Sequence, residues 1–336
     1  MEFSRIGILA FVGLALAIPQ PVSGELFVAV RVSDKIDVYA DGASGDDPPV
    51  RTISGPSTGL YRPYAVALDI VNGELFVVSD GSHSISVFSI DADGDVAPLR
   101  TVVGPATTLQ SPVGIAVDPV NNEIIVANNA AQTVVVFPRN ASGDEAPVRV
   151  LGGSTTGLSY LRFVFLDLIN DELYISEFAD SVSVFNRLDQ GDVAPKRVIE
   201  GASTGLVKPR GLFVDPVHDE LFVAEKEADS IFVFSRTADG DDAPLRTIAG
   251  ATTTLFAPRG LILTNGDEIV VTPSTTAFGR DATGNVAPLW FLNDSQGRGI
   301  TSTDAAFDAW GFVLWSFVFV DGFESGDTSA WTSAVP

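Results

Sequence analysis

The sequence predicts an all-β protein whose sheets repeat and close into a ring, and three observations predict it. First, one phrase recurs: "GDVAPLRTV" at 94–102, "GDEAPVRVL" at 143–151, "GDVAPKRVI" at 191–199 and "GDDAPLRTI" at 240–248. Fainter copies stand at 45–53, "GDDPPVRTI", and at 284–292, "GNVAPLWFL". Second, the copies are evenly spaced. Arg51, Arg100, Arg149, Arg197, Arg246 and Trp290 follow one another at 49, 49, 48, 49 and 44 residues. Third, other short segments keep the same beat, each rich in β-branched and aromatic residues and bounded by Gly, Asn, Asp or Pro, as strands are. Four strands per repeat with no helical period describe one blade of a β-propeller.

The segments take the blade in order. The innermost strand reads "AVALD", "GIAVD", "FVFLD", "GLFVD" and "GLILT", starting at Ala65, Gly114, Phe163, Gly211 and Gly260, with "GITST" at 299–303 as a sixth copy. The second strand, "ELFVV" at Glu74 and its relatives, is apolar at nearly every position, which predicts burial on both faces between neighbouring blades. The third strand is "SISVF" and its copies. The recurring phrase supplies a hairpin turn and then the outermost strand. Its Gly and Asp tolerate unusual backbone angles, while Pro suits an edge and Arg discourages edge-to-edge pairing. The chain enters at "ELFVA" (25–29) without an innermost strand, so the last segment is expected to complete the first blade, with 299–303 as that strand. "FVLWSFVFV" (312–320) is left over and strongly apolar, and must pack on the ring or add a strand.

The ends read differently. Arg5 precedes an apolar run from Ile6 to Ile18, then Val22, Ser23 and Gly24, the order of a secretory signal peptide. The run is shorter than the ~20 residues of a membrane span, although an uncleaved anchor is the alternative. The expected organisation is a signal peptide at 1–24, a six-bladed propeller at 25–320 and a tail at 321–336. The expected location is secreted, periplasmic or at the cell surface. A formal net charge of −23 disfavours nucleic acid and anionic membranes as partners. Without cysteine there is no disulfide framework, zinc-cysteine site or thiol nucleophile, and His83 and His218 are the only histidines.

From Pro112 to Asn128 the chain reads "PVGIAVDPVNNEIIVAN", which resembles the NHL-type repeats of six-bladed propellers. The resemblance extends from residue 25 to about 310 and implies the fold far more than any activity. WD and kelch repeats fit worse. The Gly-His and Trp-Asp pairs of the first are missing, as are the double glycine, Tyr and Trp positions of the second. The ending "DGFESGDTSAW" (321–331) looks like a short tail of exported bacterial proteins, with a polar chain end as the plainer reading.

Candidate site residues follow from the blade pattern. The residue just before each innermost strand should ring the axial mouth: Tyr64, Val113, Arg162, Arg210, Arg259 and Arg298. Ser79, Asn128, Glu177, Glu225 and Thr272, just past the second strand, should form a second ring nearby. One reading is an anion site, where arginines hold a carboxylate or phosphate of a small ligand or protein partner. Another is an ion-pair ring in which Glu177 and Glu225 neutralise the arginines. The absence of arginine at Tyr64 and Val113 makes the ring asymmetric, which favours a ligand.

The expected function is a binding or scaffold protein without a cofactor. The alternative is a metal-dependent hydrolase or lyase. Six-bladed sugar-lactone hydrolases hold an axial divalent cation, such as calcium, by Glu, Asn and Asp, and Glu177, Glu225, Asn128 and Asp80 are of those types. "DADGD" (91–95) also suggests a calcium loop, but its glycine is misplaced and the distal Glu is absent. No Gly-x-Ser-x-Gly elbow is present, and Asn140 and Asn293 are formal glycosylation sequons.

Overall fold

The computed structural model describes residues 25–40, 42–264, 267–273, 275–292 and 309–314. They form six four-stranded antiparallel sheets arranged as a β-propeller. Five blades run in chain order from the axis outward. Their inner strands are Pro63–Asp69, Pro112–Asp118, Leu161–Asp167, Pro209–Asp215 and Leu261–Leu263. The second strands carry the core: in Glu74–Ser79, Glu123–Asn128 and Glu220–Glu225 every residue after the first is buried. Both faces of these strands meet a neighbouring blade, as their unbroken apolar runs predict.

The first blade is made from both ends of the chain. Its inner strand is Ala309–Leu314, paired antiparallel with Leu26–Val30, and Lys35–Tyr39 and Arg51–Ile53 follow outward. Closure by the C-terminal part is therefore as expected, but the strand is 309–314 rather than 299–303, which lies outside the described residues. The reason is apolar content at the right distance. "GFVL" at 311–314 repeats the "GLFV" of 211–214, and it falls near the 49-residue beat that "GITST" misses by ten residues. The beginning of the leftover apolar run is thus the closing strand.

The recurring phrase does more than blunt an edge. Its Gly-Asp reaches the preceding blade: Gly94 bridges Ile53, Gly143 Val102, Gly191 Leu151, Gly240 Ile199 and Gly284 Ile248, while Gly45 bridges Leu292 and completes the circle. The Asp after the glycine then accepts an amide of the neighbour, as Asp95 does from Ser57 at 2.7 Å and Asp241 from Ser203 at 2.6 Å. The expected edge role of the arginine also needs correction, because five of the six outer strands begin at that arginine, two residues after a proline, and its side chain bonds a glutamate on the second strand or directly before it. Arg100 lies 5.5 Å from the Phe76 ring centre, bonds Glu74 on the second strand at 2.9 Å, and donates to the Arg139 carbonyl of the next blade at 2.7 Å. Arg246 repeats this with Phe222, Glu220 and the Arg280 carbonyl. A charge that is hydrogen-bonded on both sides tolerates burial. The phrase is an inter-blade clasp.

Candidate functional site

Four inner strands open with a register shift against the second strand: between Pro63 and Ala65, Pro112 and Gly114, Leu161 and Phe163, and Pro209 and Leu212. Tyr64, Val113, Arg162 and Arg210 fall within these irregularities, the last beside Gly211, and are four of the expected ring members. A bulge re-aims a side chain out of the pleat, so the mouth residues are set by backbone register rather than by loop conformation. Arg259 directly precedes the fifth of these strands. In the first blade the shift leaves Trp310 at the equivalent position, opposite Ala29 and Val30. The sixth place expected for Arg298 thus belongs by register to Trp310, and Arg298 lies outside the described residues.

The structure brings Tyr64, Arg162, Arg210 and Arg259 together around a cavity of about 10 Å³, closed by Phe163 and Gly211. That is room for about one water molecule. Arg210 donates from Nη1 to the Tyr64 hydroxyl at 3.1 Å. Phe178, on the turn after the second strand, holds the cations together. Its ring centre lies 4.5 Å from the Arg162 guanidinium, 4.6 Å from that of Arg210 and 5.1 Å from Lys208 Nζ. Three cations thus share one aromatic ring, and Lys208 is also paired with Glu227 at 3.0 Å. Burial lowers the Arg210 pKa, with Tyr64 opposing and Arg162 adding repulsion. Arg259 is pushed down to about 10, first by burial and then by Arg210. The buried Val113 adds no polar group to this ring.

The second ring has a different job from the ion pairing considered above. Glu225 accepts the amides of Val207, Lys208 and Glu227 at 3.1, 2.8 and 3.1 Å. Glu177 accepts the Ser159 amide at 2.7 Å and the Ser183 hydroxyl. Asn128 accepts from Gln110 and donates to the Thr108 carbonyl, and Thr272 accepts the Gly260 amide at 2.8 Å. These side chains pin the loop entering their own blade, so their oxygens serve loop amides instead of guanidiniums. Burial raises Glu177 to about 7 against its hydrogen bonds, and raises Glu225 as well. Ser79, although buried, makes no such bond from its hydroxyl. Asp80 is paired with Arg31 at 2.8 Å and Arg62 at 3.3 Å.

The four donors considered for an axial cation are therefore each engaged separately. Among the described residues, no group of three or more His, Asp or Glu side chains is gathered to hold a metal ion. "DADGD" is a connector: Asp93 accepts the Thr52 amide at 3.0 Å and Asp95 that of Ser57. His83 accepts the Ser111 amide at 2.8 Å, and His218 pairs with Asp215 at 2.6 Å on the opposite face.

Three aromatic residues of this face escaped the sequence reading. Tyr61, Tyr160 and Phe256 are 54%, 58% and 51% exposed on loops entering the inner strands. Their signal was positional. Tyr61 and Phe256 stand two residues before Pro63 and Pro258, where another repeat has Gln110, and a bulky ring on a loop tip has no core to fill.

The fold defines a class, the six-bladed β-propeller. Residues 109–137 match the NHL repeat, and the protein is a six-bladed β-propeller carrying that repeat. A chain of the crystal structure of a nidogen/laminin complex is similar, with a TM-score of 0.63 at 16% identity over 87% of this chain and 98% of that one. At that identity the likeness concerns the fold. No curated protein sequence matches the chain.

Proposed function

We propose that the protein is an exported binding or scaffold propeller that docks a protein partner on its arginine-bearing face. One observation carries this reading. The mouth gathers Arg162, Arg210 and Lys208 on Phe178, yet its cavity of about 10 Å³ admits no multi-atom ligand. Recognition on such a face is by surface contact rather than by enclosure. Exposed Tyr61, Tyr160 and Phe256 surround it, and Tyr, Phe and Arg are the residues enriched at protein interfaces. The cations favour a partner that presents carboxylates, by electrostatic complementarity. The similar propeller in a nidogen/laminin complex is consistent with a protein partner for this chain.

The test is a photo-crosslinking residue at Tyr160 in producing cells, with the same residue at Val71 on the opposite face as the control. A discrete protein adduct from position 160, lost when Arg162→Ala is added, is the expected result. No adduct at 160, or one indifferent to Arg162, would remove the proposal. A lactone-hydrolysis screen with and without chelator addresses the enzymatic alternative, and chelator-sensitive turnover would favour it. Export is checked separately, by N-terminal sequencing of protein recovered outside the cytoplasm, expected to start near Glu25.

A further inference from the structure

The other end of the central channel is apolar. There the inner strands pass into the turns that lead to the second strands, and a cavity of about 270 Å³ opens between them. Its wall is built from one position of the repeat. Ala67, Ala116, Phe165, Phe213 and Ile262 all line it. They pair with Phe76, Ile125, Tyr174, Phe222 and Val270, each two residues after the glutamate that starts its second strand. Phe165 and Phe213 fill their side of the axis and meet edge to face, 5.0 Å between ring centres. The two preceding blades put only a methyl group at the same position, so bulk is missing on one side of the ring. Protein interiors pack too closely to leave such a space by default.

The lining selects the occupant. Of the side chains that line the cavity, Asp69 alone is polar, and its carboxylate is engaged. It accepts the backbone amide of Asn72 at 3.1 Å and the side-chain amide at 2.7 Å, with Arg139 at 3.4 Å. An ordered water needs several polar partners, which such a wall does not offer. The mouth continues the apolar surface, since the exposed Val71, Pro119 and Leu168 line it from three successive turns. Exposed Asp171, Asp219 and Asp267 stand on three of the same set of turns, each facing an arginine, and the chain's net charge is −23. An anion would approach against the field of the whole protein and lose its hydration on entering. Size narrows the class further. An apolar cavity of about 150 Å³ holds benzene, so one of about 270 Å³ has room for roughly ten carbon atoms. The geometry points to a binding site for an uncharged, hydrocarbon-like molecule of that size, entering between the turns at the end opposite the arginines. The site shares no residue with the arginine face except Phe163, at the waist of the channel, so the fate of one reading does not decide the other.

Naphthalene is the probe, and isothermal titration of the full chain should show one site per chain. 2-Naphthoate, the same ring system carrying a carboxylate, should bind at least about tenfold more weakly. Ala116→Phe places in its blade the ring that Phe165 carries in the next, and should lower naphthalene affinity by at least about tenfold. Ala67→Leu fills the neighbouring position less completely and should weaken binding by a smaller factor, which keeps the test open if Ala116→Phe fails to fold. Far-UV circular dichroism identifies variants that remain folded. A parent protein that takes up no naphthalene, whether another part of the chain, a second copy or a partner already fills the space, would overturn the inference. So would an affinity unchanged by both substitutions, or 2-naphthoate bound as tightly as naphthalene.

Discussion

The two ends of the channel are made by the same repeat and differ in what the repeat allows to vary. At the apolar end the inner strand finishes on Asp69, Asp118, Asp167 and Asp215, one residue type in four blades, each bonded to its own turn. At the arginine end the bulge residue changes from blade to blade: Tyr64, Val113, Arg162, Arg210 and, by register, Trp310. A backbone requirement fixes the first set, since the aspartate replaces hydrogen bonds that the turn cannot make to itself. No turn bond fixes the second set, and the bulge takes side chains as different as the buried Val113 and the tyrosine and arginines that line the mouth. Variation at the bulge is therefore where recognition can be written without disturbing the ring.

The largest expected effect tests that division directly. Asp167→Ala removes the acceptor of two turn amides and of the Asn170 side chain, and should cost about 2–4 kcal/mol by urea denaturation. Arg162→Ala, at the other end, should cost less than about 1 kcal/mol. Equal losses would erase the distinction between framework and recognition residues.

Next in size is the pH dependence of Glu177, whose carboxyl is raised to about 7 by burial. Its folded pKa exceeds the unfolded value, so the folded state holds the extra proton. Stability should fall as pH rises from about 4.5 through about 7, then level off. Glu177→Gln keeps a neutral group that still accepts the Ser159 amide and should flatten this window. The variant is expected to be about 2 kcal/mol more stable than the parent at pH 9 and no more stable at pH 4. A parent protein equally stable at pH 5 and pH 9 would show that the loop-pinning carboxylate is ionised at little cost.

Smaller still is Tyr64→Phe, which deletes the hydroxyl facing Arg210 Nη1 and should cost about 1 kcal/mol. Finally, Val71→Ser removes an exposed aliphatic and should change stability by less than about 0.5 kcal/mol if nothing covers it. A loss above about 1 kcal/mol by urea denaturation would contradict that exposure.

The recurring phrase and its spacing determined the blade count, the strand order and closure of the ring, because burial alternates with strand period and turns demand Gly, Asp and Pro. The closing strand is an exception: it lies at 309–314, where "GFVL" keeps the apolar pattern and the beat better than the expected 299–303. The arginines of the phrase were visible but their partners were not, although Arg51, Arg100, Arg149 and Arg246 each stand 26 residues after the glutamate they bind. Only the folded ring decided that Phe178 gathers three cations, that Glu177 and Glu225 serve loop amides, and that the cavity between the arginines is only about 10 Å³. Local pattern dictates which strand forms, since each strand must bury its own apolar face. The company a side chain keeps across blades depends on register and on how six sheets meet at an axis, which no single repeat encodes.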